Sequence, residues 1–211
     1  DFDGHNPRKI TQNGSINIQP TWSPDGSKIA FTSYLGGNPD LYVADLAAGR
    51  ITRLSARTGI NTGAAWSPAG GLLALTLAPA GDPEIFTINA RTGRQVARLT
   101  RSIGIDVSPN FSPDGSEMVF VSDRSGGAQV YRMNIDGSDI RRVTFHGNHN
   151  TDPTYNPNGD RIAFVNRGAN FDVFTVGIDG KNLNRITQDM GDNEDPSWSP
   201  DGYYLAFSST R

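Results

Sequence analysis

An all-β propeller of four-stranded antiparallel blades is the fold this chain predicts, on three observations. First, one turn motif recurs: Trp22-Ser23-Pro24-Asp25-Gly26, Trp66-Ser67-Pro68-Ala69-Gly70, Phe111-Ser112-Pro113-Asp114-Gly115, Tyr155-Asn156-Pro157-Asn158-Gly159 and Trp198-Ser199-Pro200-Asp201-Gly202. The aromatic positions 22, 66, 111, 155 and 198 lie 44, 45, 44 and 43 residues apart, a period that suits one propeller blade per repeat. Second, short apolar and β-prone runs follow each motif in a fixed order. Third, no helical periodicity of useful length interrupts them.

Within the unit 17–55, residues 18–22 read as a short, polar innermost strand. The turn Ser23-Pro24-Asp25-Gly26 follows. Proline pre-sets φ at its second position, aspartate favours the third, and glycine accepts positive φ at the fourth. Lys28-Ile29-Ala30-Phe31-Thr32-Ser33 is the second strand, broken by Leu35-Gly36-Gly37-Asn38-Pro39. Residues 41–46 form the third, and Ala48-Gly49 turns the chain into Ile51-Thr52-Arg53-Leu54. Other units repeat the order, as in Met118-Val119-Phe120-Val121 and Gln129-Val130-Tyr131-Arg132-Met133. Asp136-Gly137 and Asp179-Gly180 suit the two positive φ values of a type I′ hairpin. Such a sheet has two apolar faces that it cannot bury alone, so the apolar content belongs at interfaces between blades.

Composition narrows the function classes. The 211 residues carry 19 Lys and Arg against 22 Asp and Glu, and the basic residues form no runs. A nucleic-acid partner needs a basic stripe and is therefore excluded. No stretch of about 18 apolar residues spans a membrane. There is no cysteine, hence no disulfide, thiolate nucleophile or Cys-bound zinc. The opening Asp1-Phe2-Asp3-Gly4 lacks a charged segment followed by an apolar one, so no signal peptide is read in these residues.

The pattern Pro-x-Trp-Ser-Pro-Asp-Gly-x-x-(Ile/Leu)-Ala-Phe, at 20–31 and again at 196–207, resembles the TolB-type propeller repeat. Leu41-Tyr42-Val43 and the unit ends Arg142-Val143-Thr144 and Arg185-Ile186-Thr187 extend the likeness over almost the whole chain. The resemblance implies a six-bladed ring, of which five motifs are present, and a periplasmic setting. It also implies a non-catalytic binding role in linking the cell envelope, with the lipoprotein Pal or a similar peptide, and Tol proteins, as partners. The ends of the chain fall at different phases of the repeat. Asp1-Phe2-Asp3-Gly4 matches a third-strand tail, Arg8-Lys9-Ile10-Thr11 a fourth strand, and Arg211 follows a second strand. On that phase the chain reads as one propeller domain over 1–211. Residues 1–11 end one blade, repeats centre on Trp22, Trp66, Phe111, Tyr155 and Trp198, and the last blade is incomplete, as in a fragment of a six-bladed ring.

Function is expected on the face that carries the four-to-one connections (12–16, 56–60, 100–104, 145–149 and 188–192), because variable loops on a rigid scaffold carry recognition. Five residues before each motif aromatic stand Asn17, Asn61, Asp106, Asn150 and Asn193. Two residues further lie Gln19, Gly63, Ser108, Asp152 and Asp195, and strand alternation places both sets on one side, toward the channel. Two readings stand side by side. Asn and Asp bond local backbone and tolerate left-handed φ, so a repeated turn could select them. Alternatively, the channel mouth receives a peptide, and the family resemblance carries that role onto Ile60, Asn61, Gly63, Asp106 and Val107. Calcium near Asp106, Asp152 and Asp195 is a third expectation, from clustered oxygen donors without EF-hand spacing.

His146 and His149 lack an evident third metal ligand and read as loop histidines. Trp22, Trp66 and Trp198 follow the period of the fold and read as interblade packing. An enzyme alternative remains: a glycoside hydrolase using a pair among Asp106, Asp152 and Asp195, or a propeller that gates a peptidase. No Gly-x-Ser-x-Gly elbow is present to support a serine hydrolase.

Overall fold

The computed structural model describes residues 5–79, 81–188 and 191–211. The first blade contains β1 (Asn17–Trp22), β2 (Lys28–Ser33), β3 (Asp40–Asp45) and β4 (Arg50–Ser55). The second contains β5 (Asn61–Trp66), β6 (Leu72–Leu77), β7 (Glu84–Asn89) and β8 (Gln95–Arg98). The third has β9 (Asp106–Phe111), β10 (Glu117–Ser122), β11 (Gln129–Asn134) and β12 (Arg141–Arg142). The fourth has β13 (Asn150–Tyr155), β14 (Arg161–Arg167), β15 (Phe171–Gly177) and β16 (Asn184–Arg185), and a last pair joins β17 (Asn193–Trp198) to β18 (Leu205–Ser209). Every ladder is antiparallel between consecutive strands, as hairpin connections require. The inner strands β1, β5, β9, β13 and β17 adjoin one another in chain order.

Each motif forms one tight turn. Its glycine N–H donates to the carbonyl three residues back, at 2.9 Å for Gly26 to Ser23 and 2.8 Å for Gly70 to Ser67. The glycine φ values run from +68° at Gly26 to +77° at Gly159. The motifs also touch around the ring. A Cβ at Gly115 would lie 3.5 Å from Pro68, and one at Gly202 would lie 3.5 Å from Pro157, so each turn packs on the proline before it.

The middle strands are buried on both faces because each blade is sandwiched between neighbours. Along β10, Met118 and Phe120 join Ile85, Leu99 and Phe111 between the second and third blades. Val119, on the opposite face, joins Phe164 and Phe174 between the third and fourth. The aromatic of the motif locks adjacent blades. The Trp66 indole N–H donates to the Thr21 carbonyl and that of Trp198 to the Thr154 carbonyl, each at 3.3 Å. Trp22 is 61% exposed.

Two expectations are corrected. Asp136-Gly137 and Asp179-Gly180 do not form type I′ turns. Only the glycine has positive φ, and its N–H reaches back three residues, to Asn134 and Gly177. The aspartate side chain instead accepts from the following N–H, of Ser138 or Lys181, and a left-handed Asp139 or Asn182 then re-aims the chain. Local side-chain bonding thus replaces the two-residue hairpin. Residues 8–11 form no fourth strand; Arg8, Lys9 and Ile10 lie along the end of β3 and the start of β4 without a ladder. The readings of Asp1-Phe2-Asp3-Gly4 and of residues 189–190 in the last connection lie outside the described residues.

Candidate functional site at the inner-strand starts

The Asn/Asp ring forms the first residue of β1, β5, β9, β13 and β17. Asn61, Asp106, Asn150 and Asn193 are all 0% exposed. Their side chains close the four-to-one connection on itself. The Asn61 amide N–H groups donate to the carbonyls of Arg57, at 2.7 Å, and Gly59, at 3.2 Å, while its Oδ1 accepts from Ser55 Oγ and Arg57 N. Asn150 donates to the His146 carbonyl at 2.9 Å and accepts from Asn166 Nδ2 at 2.8 Å. Asn17 and Asn193 donate to the carbonyls of Ser15 and Gly191. A carboxylate cannot donate, so Asp106 is held differently. It accepts from Ser102 Oγ at 2.8 Å and from Arg124 Nη2 at 2.9 and 3.0 Å. The Arg124 guanidinium in turn covers the Phe120 and Tyr131 rings.

The ring two residues further does not share that side, which corrects the expectation from strand alternation. In every inner strand the register slips after the second residue, as between Ile18 and Thr21 or Thr151 and Thr154. The slipped residue adopts left-handed φ: +53° at Gln19, +62° at Gly63, +54° at Ser108, +51° at Asp152 and +53° at Asp195. In four of the five cases the next residue is proline (Pro20, Pro109, Pro153 and Pro196), which has no N–H for the ladder and is tolerated at a bulge. The bulge turns these positions toward their counterparts in the next blade. Gln19 Oε1 accepts from Gly63 N at 3.1 Å, and a Cβ at Gly63 would meet Ser108 at 3.9 Å. This second ring therefore lines the axis.

The mouth is divided in character. Immediately before the buried ring stand Ile16, Ile60 and Ile105, which are 65%, 37% and 45% exposed, with Ile103 beside them at 96%. Of these the sequence reading singled out Ile60 alone, although an isoleucine directly before the ring residue in three successive units was a usable signal. On the fourth and fifth units the inner strands carry acidic residues instead. Burial raises the carboxyl pKa of Asp152, and the nearby charge of Asp195 raises it further. Glu194 is raised by desolvation and by its neighbours Asp195, Asp152 and Asp192. Val107 lies in β9, paired with Val121 just ahead of the bulge.

Asp106 does not join the other two carboxylates around a cation, because Arg124 and Ser102 occupy its oxygens. Among the described residues no three acidic or imidazole groups converge to hold a metal. The same ion pair leaves Asp106 poorly placed as a glycosidase acid or base. His146 and His149 pack against the rings of Phe174 and Phe171.

With this geometry in place, comparison with known proteins decides the family. The TolB β-propeller domain matches residues 1–211. The chain belongs to that family. It is 48% identical over 139 residues to the Tol-Pal system protein TolB of Bordetella pertussis, covering 66% of this chain and 32% of that protein. It superposes on the crystal structure of TolB from Acinetobacter baumannii with a TM-score of 0.88 and 32% identity, over 100% of this chain and 56% of that one. The chain thus spans little more than half of that TolB, and the match to the Bordetella protein about a third. An oligogalacturonate lyase in complex with manganese shares the fold alone, at 17% identity and a TM-score of 0.71 over 94% of this chain and 61% of the lyase. No helix among the described residues is long and apolar enough to cross a membrane.

Proposed function

We propose that this TolB-type propeller is a non-catalytic binding module of a Tol-Pal-type envelope system, working in the periplasm. Its channel mouth receives Pal, or a peptide of similar chemistry, and Tol proteins are its further partners. The observation that carries the reading is the divided mouth. Exposed Ile16, Ile60 and Ile105 precede the inner strands of the first three units, whereas Asp152, Glu194 and Asp195 bring mutually coupled carboxyls to those of the last two. A partner segment with an apolar flank and a basic one would satisfy both groups, and electrostatic complementarity of this kind sets orientation and association rate.

In this reading the partner-binding residues divide by burial. Ile60, Gly63, Val107, Asp152 and Asp195 offer contacts at the mouth. Asn17, Asn61, Asp106, Asn150 and Asn193 hold the rim that presents them. Because the ring residues are tied to the connection before them and, at Asn61 and Asn150, to the preceding blade, the site is preformed and little backbone movement accompanies binding.

The test is titration of the chain with the soluble domain of a Pal protein by calorimetry, with Ile60→Asp and Asp195→Lys as variants. Each substitution is expected to weaken binding about tenfold or more, and raising the salt should weaken the parent complex. Affinity unchanged in both variants would remove the mouth from the interaction.

A further inference from the structure

On the face opposite the mouth, a cavity of about 960 Å³ opens between the first and second blades. Its origin lies in substitutions at repeat positions. At the interface between the second and third blades Ile135 fills the corresponding corner, and at the next interface Ile178 does so. The second blade has Ala90 at that position, a side chain too short to close the gap. The same blade writes Ala69-Gly70-Gly71 where the first has Asp25-Gly26-Ser27 and the third has Asp114-Gly115-Ser116. Two separate stretches thus lose volume at one point. The wall left behind is apolar, formed by Val43, Leu54 and the half-buried ring of Trp66.

The rim is cationic in balance. Lys28 Nζ and Asp45 lie 3.9 Å apart and offset each other. Asp25 is taken up by Ser23 and Ser27. That leaves the guanidinium groups of Arg50 and Arg91, both exposed and both lining the cavity, without an ion pair or side-chain hydrogen bond among the described residues. Guanidinium groups pair with carboxylates through two parallel N–H···O bonds. An apolar pocket with a few convergent polar groups is the usual form of a ligand site.

We propose that this interblade cavity binds an acidic peptide segment that carries one bulky apolar side chain. The apolar group fills the space vacated at Ala90 against Trp66, and flanking carboxylates pair with Arg50 and Arg91. The site is separate from the channel mouth, so the propeller carries two protein-binding faces.

The full chain is titrated by calorimetry with three probes: acetyl-Asp-Phe-Asp-amide, acetyl-Asp-Ala-Asp-amide and acetyl-Lys-Phe-Lys-amide. Only the first is expected to saturate, below about 1 mM, and to shift the Trp66 indole N–H resonance. Ala90→Ile, which restores the filler of the other interfaces, should weaken that binding at least about tenfold while raising the melting temperature. Arg50→Glu with Arg91→Glu, both on the surface, should do likewise without changing the melting temperature by more than a few degrees. No saturable binding of the first probe, equal binding of all three, or unchanged binding in both variants would overturn the proposal. A melting temperature raised by Ala90→Ile with no probe bound to the parent protein would mark the cavity as a packing defect only, and overturn it equally.

Discussion

Asp152 and Asp195 occupy the same bulge position in adjacent blades, each at left-handed φ near the axis. Burial and the neighbouring charge hold the Asp152 carboxyl above its ordinary range. A carboxyl whose folded pKa is raised contributes stability that is fully present below its unfolded pKa and is lost as pH rises through the folded value. At neutral pH the ionised Asp152 carboxylate therefore opposes folding. Asp152→Asn is expected to raise the melting temperature at pH 7, with the gain shrinking toward pH 4; thermal unfolding followed by circular dichroism at the two pH values checks this. A gain of equal size at both would place the effect in packing rather than charge. The motif aspartates behave oppositely. Hydrogen bonds from Ser23 and Ser112 lower Asp25 and Asp114 to about 2. What they contribute is present above the usual carboxylate range and is lost as pH falls from there toward about 2. The two groups of carboxylates were indistinguishable as letters. Their surroundings separate them.

At the scale of the element, the inner strand joins a buried clip to an axial bulge. The clip residue must donate to carbonyls two and four positions back, as Asn61 does to Gly59 and Arg57. Asn61→Asp has nearly the same shape but cannot donate, and it buries a charge beside those carbonyls and the existing acceptor contacts. It is expected to destabilise the chain by about 2–4 kcal/mol, measured by urea denaturation at neutral pH, with much of the loss recovered once the carboxyl is protonated. Asp106 escapes that fate because Arg124 and Ser102 supply donors. The recurrence of Asn or Asp and its phase against the motif were legible in the sequence. That four of the five side chains point into the blade was not, because a bulge interrupts the alternation of an ordinary strand. The proline two residues before four of the motif aromatics was the available sign of an edge strand with a bulge, the places where proline is tolerated in a sheet.

For the whole molecule, stability resides in the interfaces between blades, and the same motif residue weighs differently according to what stands beside it. Trp66 is half-buried on the first blade and bonded to the Thr21 carbonyl, whereas Trp22 is 61% exposed. Trp66→Ala is expected to cost about 3 kcal/mol and Trp22→Ala under about 1 kcal/mol, compared by chemical denaturation of the two variants. Equal losses would show that the tryptophan serves its own blade rather than the interface. In a stacked array each unit contacts only its neighbours, so such differences follow position along the array rather than sequence within the motif.

By itself the sequence determined the class of fold, the strand order within a blade, the turn built by each motif and the phase of the repeat. These follow from short-range rules, since turn residues and apolar runs act within a few positions of where they are written. The tertiary structure alone decided which residues meet across blades. It buries Asn61 and Asp106, brings Asp152 near Asp195, leaves Ile16, Ile60 and Ile105 exposed, and leaves a cavity where Ala90 replaces a larger side chain. The physical reason is that exposure, charge coupling and empty volume depend on neighbours about a full repeat away. A single left-handed residue at the bulge is enough to change which of them a side chain faces.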